Sequence, residues 1–148
     1  MKKLMLYLTG LVLVGFGLSA QAALTGFQTF NGNVGLSTDG FASSTNQGII
    51  SAEVPSGATV LGAYLYTATY TITSTPTVEL DGSAVTYGPR VPNATACCNL
   101  ASFRSDVTSL VKPTIDGGGG GVYNFDIAET GFGANTDGSA LVVISEEA

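Results

Sequence analysis

The chain has 148 residues, enough for one domain. Hydrophobic residues make up 45% and charged residues 11%, which excludes a disordered polar tail. There is no His, and five Lys and Arg face eleven Asp and Glu for a net charge of −6, which rules out a Ser–His–Asp triad and repels nucleic acid.

Residues 1–22 read as a secretory signal peptide. Lys2 and Lys3 supply the positive start, Leu4 to Leu18 an apolar run, and Ala20-Gln21-Ala22 a small-x-small cleavage site before Ala23. The run is shorter than the roughly 20 residues that cross hydrocarbon, so no stable membrane span is expected after leader removal. No Cys follows the cut, so a lipoprotein anchor is not indicated. Residues 23–148 then form a single domain, and losing Lys2 and Lys3 takes the net charge from −6 to −8. The expected location is extracellular, cell-surface or periplasmic.

Beyond the leader the period is two almost throughout. Ile49 to Val54 predicts a strand, closed by a turn at Pro55-Ser56-Gly57. Tyr64 to Thr73 alternates most clearly. Tyr64, Tyr66, Ala68, Tyr70 and Ile72 lie on one face, and Leu65, Thr67, Thr69, Thr71 and Thr73 on the other. Asp81-Gly82 between Val78–Leu80 and Ser83–Tyr87 predicts a type I′ hairpin. Pro89 and Pro92 predict a loop over 88–100. A helical turn is expected at 106–112, capped by Asp106 or Ser105, with Val107, Leu110 and Val111 on its apolar face and Pro113 as its stop. Five glycines, Gly117 to Gly121, predict a flexible surface turn. Val122–Ile127 and Ala140–Ile144 are the last strands expected, with Asn135, Asp137 and Gly138 as turn residues between them. About seven short strands without long helices predict an all-β fold, a β-sandwich or jelly roll.

Three segments carry a resemblance. They are Val54-Pro55-Ser56-Gly57-Ala58-Thr59-Val60 leading into Ala63-Tyr64-Leu65-Tyr66, then Arg104-Ser105-Asp106-Val107-Thr108-Ser109-Leu110-Val111, and Asp137-Gly138-Ser139-Ala140-Leu141-Val142-Val143-Ile144. Together they resemble the β-sandwich surface domains of large bacterial exported proteins, including those with C-terminal sorting tails. The proline-glycine opening and the Asp-Val-Thr element are also similar to jelly-roll carbohydrate-binding modules. The resemblance covers most of residues 49–144. It implies a non-catalytic surface or matrix domain and brings no catalytic or binding residues with it. In such domains further strands follow the Ala-Leu-Val-Val strand, whereas this sequence ends at Glu147-Ala148 without a sorting tail. A truncated or partial copy is therefore expected, with an open sheet edge for self-association.

Cys97-Cys98 is the most unusual pair. Neighbouring Cα atoms sit about 3.8 Å apart, below the usual disulfide range, and a bond between them closes almost no loop. A vicinal disulfide, two bonds to other chains, and two free thiols are the alternatives. Export and the lack of other Cys partners favour the first. Two thiolates without His fall short of a zinc set. Tyr64, Tyr66 and Tyr70 are a candidate ligand platform for sugar rings. Against that stands the core reading, in which this face is buried and the threonines meet solvent. Asp116, Asp126, Glu129, Asn135 and Asp137 raise a structural calcium, set against solvated carboxylates, and no EF-hand spacing is present. Asp126 and Glu129, three apart on a strand, face opposite ways and so do not flank one glycosidic bond. The glycine run lacks the Lys-Ser/Thr of a phosphate loop. Asn93-Ala94-Thr95 is a glycosylation sequon, discounted because the leader looks bacterial.

These readings converge on a non-enzymatic exported domain with a structural or adhesive role and no cofactor. Its expected partners are surface or matrix proteins or glycans. A carbohydrate-binding module is the alternative, and a glycoside hydrolase fragment the second.

Overall fold

The computed structural model describes residues 26–42, 45–70, 75–91, 100–130 and 136–147. The leader, Cys97 and Cys98, the Asn93 sequon, Ile72 with Thr71 and Thr73, and Asn135 lie outside them. Among the described residues there are eight strands: β1 Val34–Phe41, β2 Gln47–Val54, β3 Thr59–Thr69, β4 Val78–Leu80, β5 Ser83–Ala84, β6 Ala101–Asp106, β7 Gly121–Glu129 and β8 Thr136–Glu146. The described residues also include one helix, α1, over Thr108–Asp116. The strands form two four-stranded antiparallel sheets, ordered β1-β8-β3-β6 (sheet A) and β2-β7-β4-β5 (sheet B). They pack face to face as the expected β-sandwich.

The core is built from the inward positions of both sheets. Sheet A contributes Ala63, Leu65, Leu141 and Val143, and sheet B Ile50, Ala52, Val78, Leu80, Phe125 and Ile127. Val107, Val111 and Ile115 of α1 fill one end of it. The helix runs past Pro113 to Asp116 rather than stopping there. Pro113 removes the donor that would reach the Ser109 carbonyl, but both residues are exposed, so that carbonyl is open to solvent and the loss is tolerated. The N-cap is Val107, which makes no side-chain cap bond, and not the expected Asp106 or Ser105; Asp106, one residue before it, accepts the Thr108 N–H on Oδ1 at 3.0 Å.

The hairpin turn is type I′, with positive φ at Asp81 (47°) and Gly82 (69°). Its second strand is shorter than expected, because the chain then leaves sheet B for sheet A. Val85 N–H still donates to Val78 O at 2.9 Å, whereas Gly88 N–H donates to Arg104 O at 3.0 Å and Val91 N–H to Ser102 O at 2.8 Å. The expected loop over 88–100 thus begins by covering the outer edge of β6. That edge belongs to a strand the hydrophobic pattern did not announce.

A second unannounced strand, β1, lies at the opposite side. Its alternation is inverted: Leu36 is 69% exposed, while Ser37 and Asp39 turn toward β2. Ser37 Oγ accepts the Glu53 N–H at 2.8 Å and Asp39 Oδ2 accepts the Ser51 N–H at 2.7 Å. Side chains of one sheet therefore satisfy edge donors of the other. A third edge is handled by α1. Where β6 ends, Ala63 N–H donates to Thr108 Oγ1, and Val60 gives its N–H to Asp116 and takes a bond from Lys112 Nζ. Lys112 and Asp116 also pair at 2.6 Å. Burial by itself would raise the Asp116 pKa, but the bonds from Lys112 and the Val60 N–H hold it below its ordinary value.

β8 begins earlier than expected, so Asp137 and Gly138 are part of a strand rather than a turn. The register slips by one residue there, between Ala68 and Thr69 on β3. Gly138 takes φ of 135° at this irregularity, a conformation glycine tolerates.

Candidate functional site

The face assignment of β3 is the main correction to the sequence reading. Thr67 and Thr69 lie inside the sandwich, at 1% and 0% exposure, beside Leu65. The tyrosines therefore point to the outer face of sheet A. Burial of the threonines is possible because Thr67 has partners. Its Oγ1 lies 2.6 Å from the Tyr87 hydroxyl and 2.8 Å from Ser139 Oγ. Ser139 in turn donates to Glu129 Oε1 at 2.8 Å. Burial pushes the Glu129 carboxyl above its ordinary range, with the Ser139 bond opposing. Tyr87 is raised as well, first by burial, against its bond to Thr67. Glu129 is thus an interior residue and not a solvated edge carboxylate.

On the outer face the three tyrosines have different surroundings. Tyr64 is 5% exposed. The chain before β1 lies across it: the Phe27 ring meets Tyr64 edge to face at 5.2 Å, Gln28 Oε1 accepts the Tyr64 hydroxyl, and Arg104 stacks on Phe27. Burial is the first cause of a raised Tyr64 pKa. Tyr70 is 49% exposed, and its hydroxyl donates to Asp137 Oδ1 at 2.5 Å. That hydrogen bond is the largest cause of its raised pKa. Tyr66 is half-buried between them along the strand. The three rings do not make one continuous open platform.

What the sheet builds around Tyr66 is a low floor. In one cross-strand row stand Gly40, Ala140, Tyr66 and Arg104; in the next, Gly138, Ala68 and Ser102. Side chains on a sheet rise roughly perpendicular to it, so glycine and alanine leave a hollow beside the tyrosine. The resulting depression is about 470 Å³ and is also lined by Asp137. Sheet B carries a second depression of about 470 Å³ on its outer face, lined by Gln47, Ile49, Glu79 and Asp126 but by no aromatic ring.

The acidic residues proposed for calcium are dispersed. Asp116 serves the helix, Asp126 stands exposed on sheet B, Glu129 is interior, and Asp137 holds Tyr70. Asp126 and Glu129 do face opposite sides of β7. Among the described residues no three His, Cys, Asp or Glu side chains stand together to hold a metal ion. The interior hydroxyl network was missed by sequence reasoning, and the only signal for it was the run of threonines on a strand whose other face is aromatic. Comparison of the chain with protein-family models, curated proteins and solved structures gives no match.

Proposed function

We propose that this chain is an exported, non-enzymatic β-sandwich domain with a structural or adhesive role at the bacterial surface or matrix. The observation that carries the reading is the allocation of the ionisable side chains. Asp39, Asp116 and Glu129 are spent on strand edges, the helix and the interior, while the depressions on the outer sheet faces are shallow and open. Such faces suit contact with an extended partner better than enclosure of a reacting group. The alternative, a carbohydrate-binding module, draws its support from Tyr66 in the sheet A depression.

Cell fractionation with N-terminal sequencing tests this role. The expected result is a chain beginning at Ala23, held at the cell surface or in the matrix. An uncleaved chain confined to the cytoplasm, or turnover of glycosides by the purified protein, overturns it.

A further inference from the structure

We infer that the depression beside Tyr66 binds a neutral sugar unit of a polysaccharide. The inference deepens the adhesive reading, and rests on it, by naming a ligand class. A sugar ring presents an apolar C–H face and a rim of hydroxyls. Its recognition therefore needs a ring to pack on and polar atoms near the edge of that ring. Both are present here. Tyr66 forms one wall, and Gly40, Ala140, Gly138 and Ala68 keep the floor low enough for a ligand to reach it. Ser102 and Asp137 lie on the rim. Asp137 is oriented by the Tyr70 hydroxyl on Oδ1, and its other oxygen takes no hydrogen bond from the described residues. It is an acceptor aimed by a neighbour.

Charge selects the class of sugar. The exported chain carries −8 once Lys2 and Lys3 are lost from the total of −6, and a carboxylate sits in the site itself. Arg104, the cation beside Tyr66 in the cross-strand row, is stacked on Phe27 and is not among the residues that line the depression, whereas Asp137 is. Acidic polymers are therefore repelled and neutral ones admitted. The sheet A depression is preferred over that of sheet B because only the former has an aromatic wall.

Affinity electrophoresis of the exported chain in gels containing hydroxyethylcellulose, mannan or alginate tests the site. Retardation is expected with a neutral polymer and not with alginate. Tyr66→Ala is expected to weaken it at least about tenfold and Asp137→Asn about threefold, with the melting temperature of each checked alongside. Ser102→Arg, on an exposed rim position, fills the depression without touching the core and should abolish retardation. No retardation by either neutral polymer, retardation by alginate alone, or full retardation of the Tyr66→Ala and Ser102→Arg variants overturns the inference. Surface retention that survives both variants removes the sugar site yet leaves the adhesive role standing; loss of surface retention by the unaltered chain removes the role itself.

Discussion

The two ends of the sandwich interior are held by different physics. Near α1 the space between the sheets is filled mostly by buried apolar residues, Val60, Ala63, Leu65, Val107, Val111, Ile115 and Val143, with Ser145 as a buried polar neighbour of Val60. At the other end, along the same β3 and β8, the inward positions become Thr67, Thr69 and Ser139, joined by Glu129 of β7 and by Tyr87. The first end is stabilised by area removed from water, about 25 cal/mol per Å² of apolar surface. The second depends on every hydroxyl finding a partner, because a buried polar group left unpaired costs about 1–3 kcal/mol. One end tolerates rearrangement of apolar volume; the other tolerates only substitutions that keep its bonds complete.

The largest effect is expected at the apolar end. Leu65→Ala should cost about 2–5 kcal/mol, read by urea or thermal unfolding, because Leu65 is fully buried between β6 and β8. A loss below about 1 kcal/mol would show that the two ends do not differ in this way. At the polar end Thr67→Val keeps the shape of the side chain but strips Tyr87 and Ser139 of a shared partner. It should cost about 1–3 kcal/mol. The double variant Thr67→Val with Tyr87→Phe should then lose less than the sum of its parts, and strict additivity would mean that the hydroxyls act separately.

The smallest and most diagnostic effect is on pH dependence. Glu129 has a folded-state pKa raised above 4.5, so the native state holds that proton more tightly than the unfolded chain. Its contribution is fully present below about pH 4.5 and is lost as pH rises through the folded value. Across that window the slope is at most about 1.4 kcal/mol per pH unit. Glu129→Gln should flatten this part of the stability–pH curve and leave the rest unchanged. A curve identical to that of the unaltered chain would place the carboxylate in solvent.

The strands that were legible in the sequence are β2, β3, β7 and β8, with the inward face of β3 misassigned, and the Asp81-Gly82 hairpin, whose turn chemistry is local. β1 was hidden because its inward residues, Ser37 and Asp39, are polar and serve backbone donors of β2. β6 was hidden because Ser105 and Arg104 interrupt its apolar residues, and the chain that covers it arrives from sheet B. The site was half legible. Tyr66 and Tyr70 were named from their spacing, but the floor of Gly40, Ala140 and Gly138 comes from strands distant in sequence, and the cover on Tyr64 comes from Phe27 and Gln28.

Alternation by itself determined that this chain forms paired strands, since a period of two is a property of the backbone and is written locally. Which side of β3 faces inward was a tertiary decision. A threonine is admitted to the interior only when another strand delivers a hydroxyl to meet it, and Ser139 lies seventy-two residues from Thr67. The same rule placed the tyrosines outside, where one was covered and another left beside a hollow.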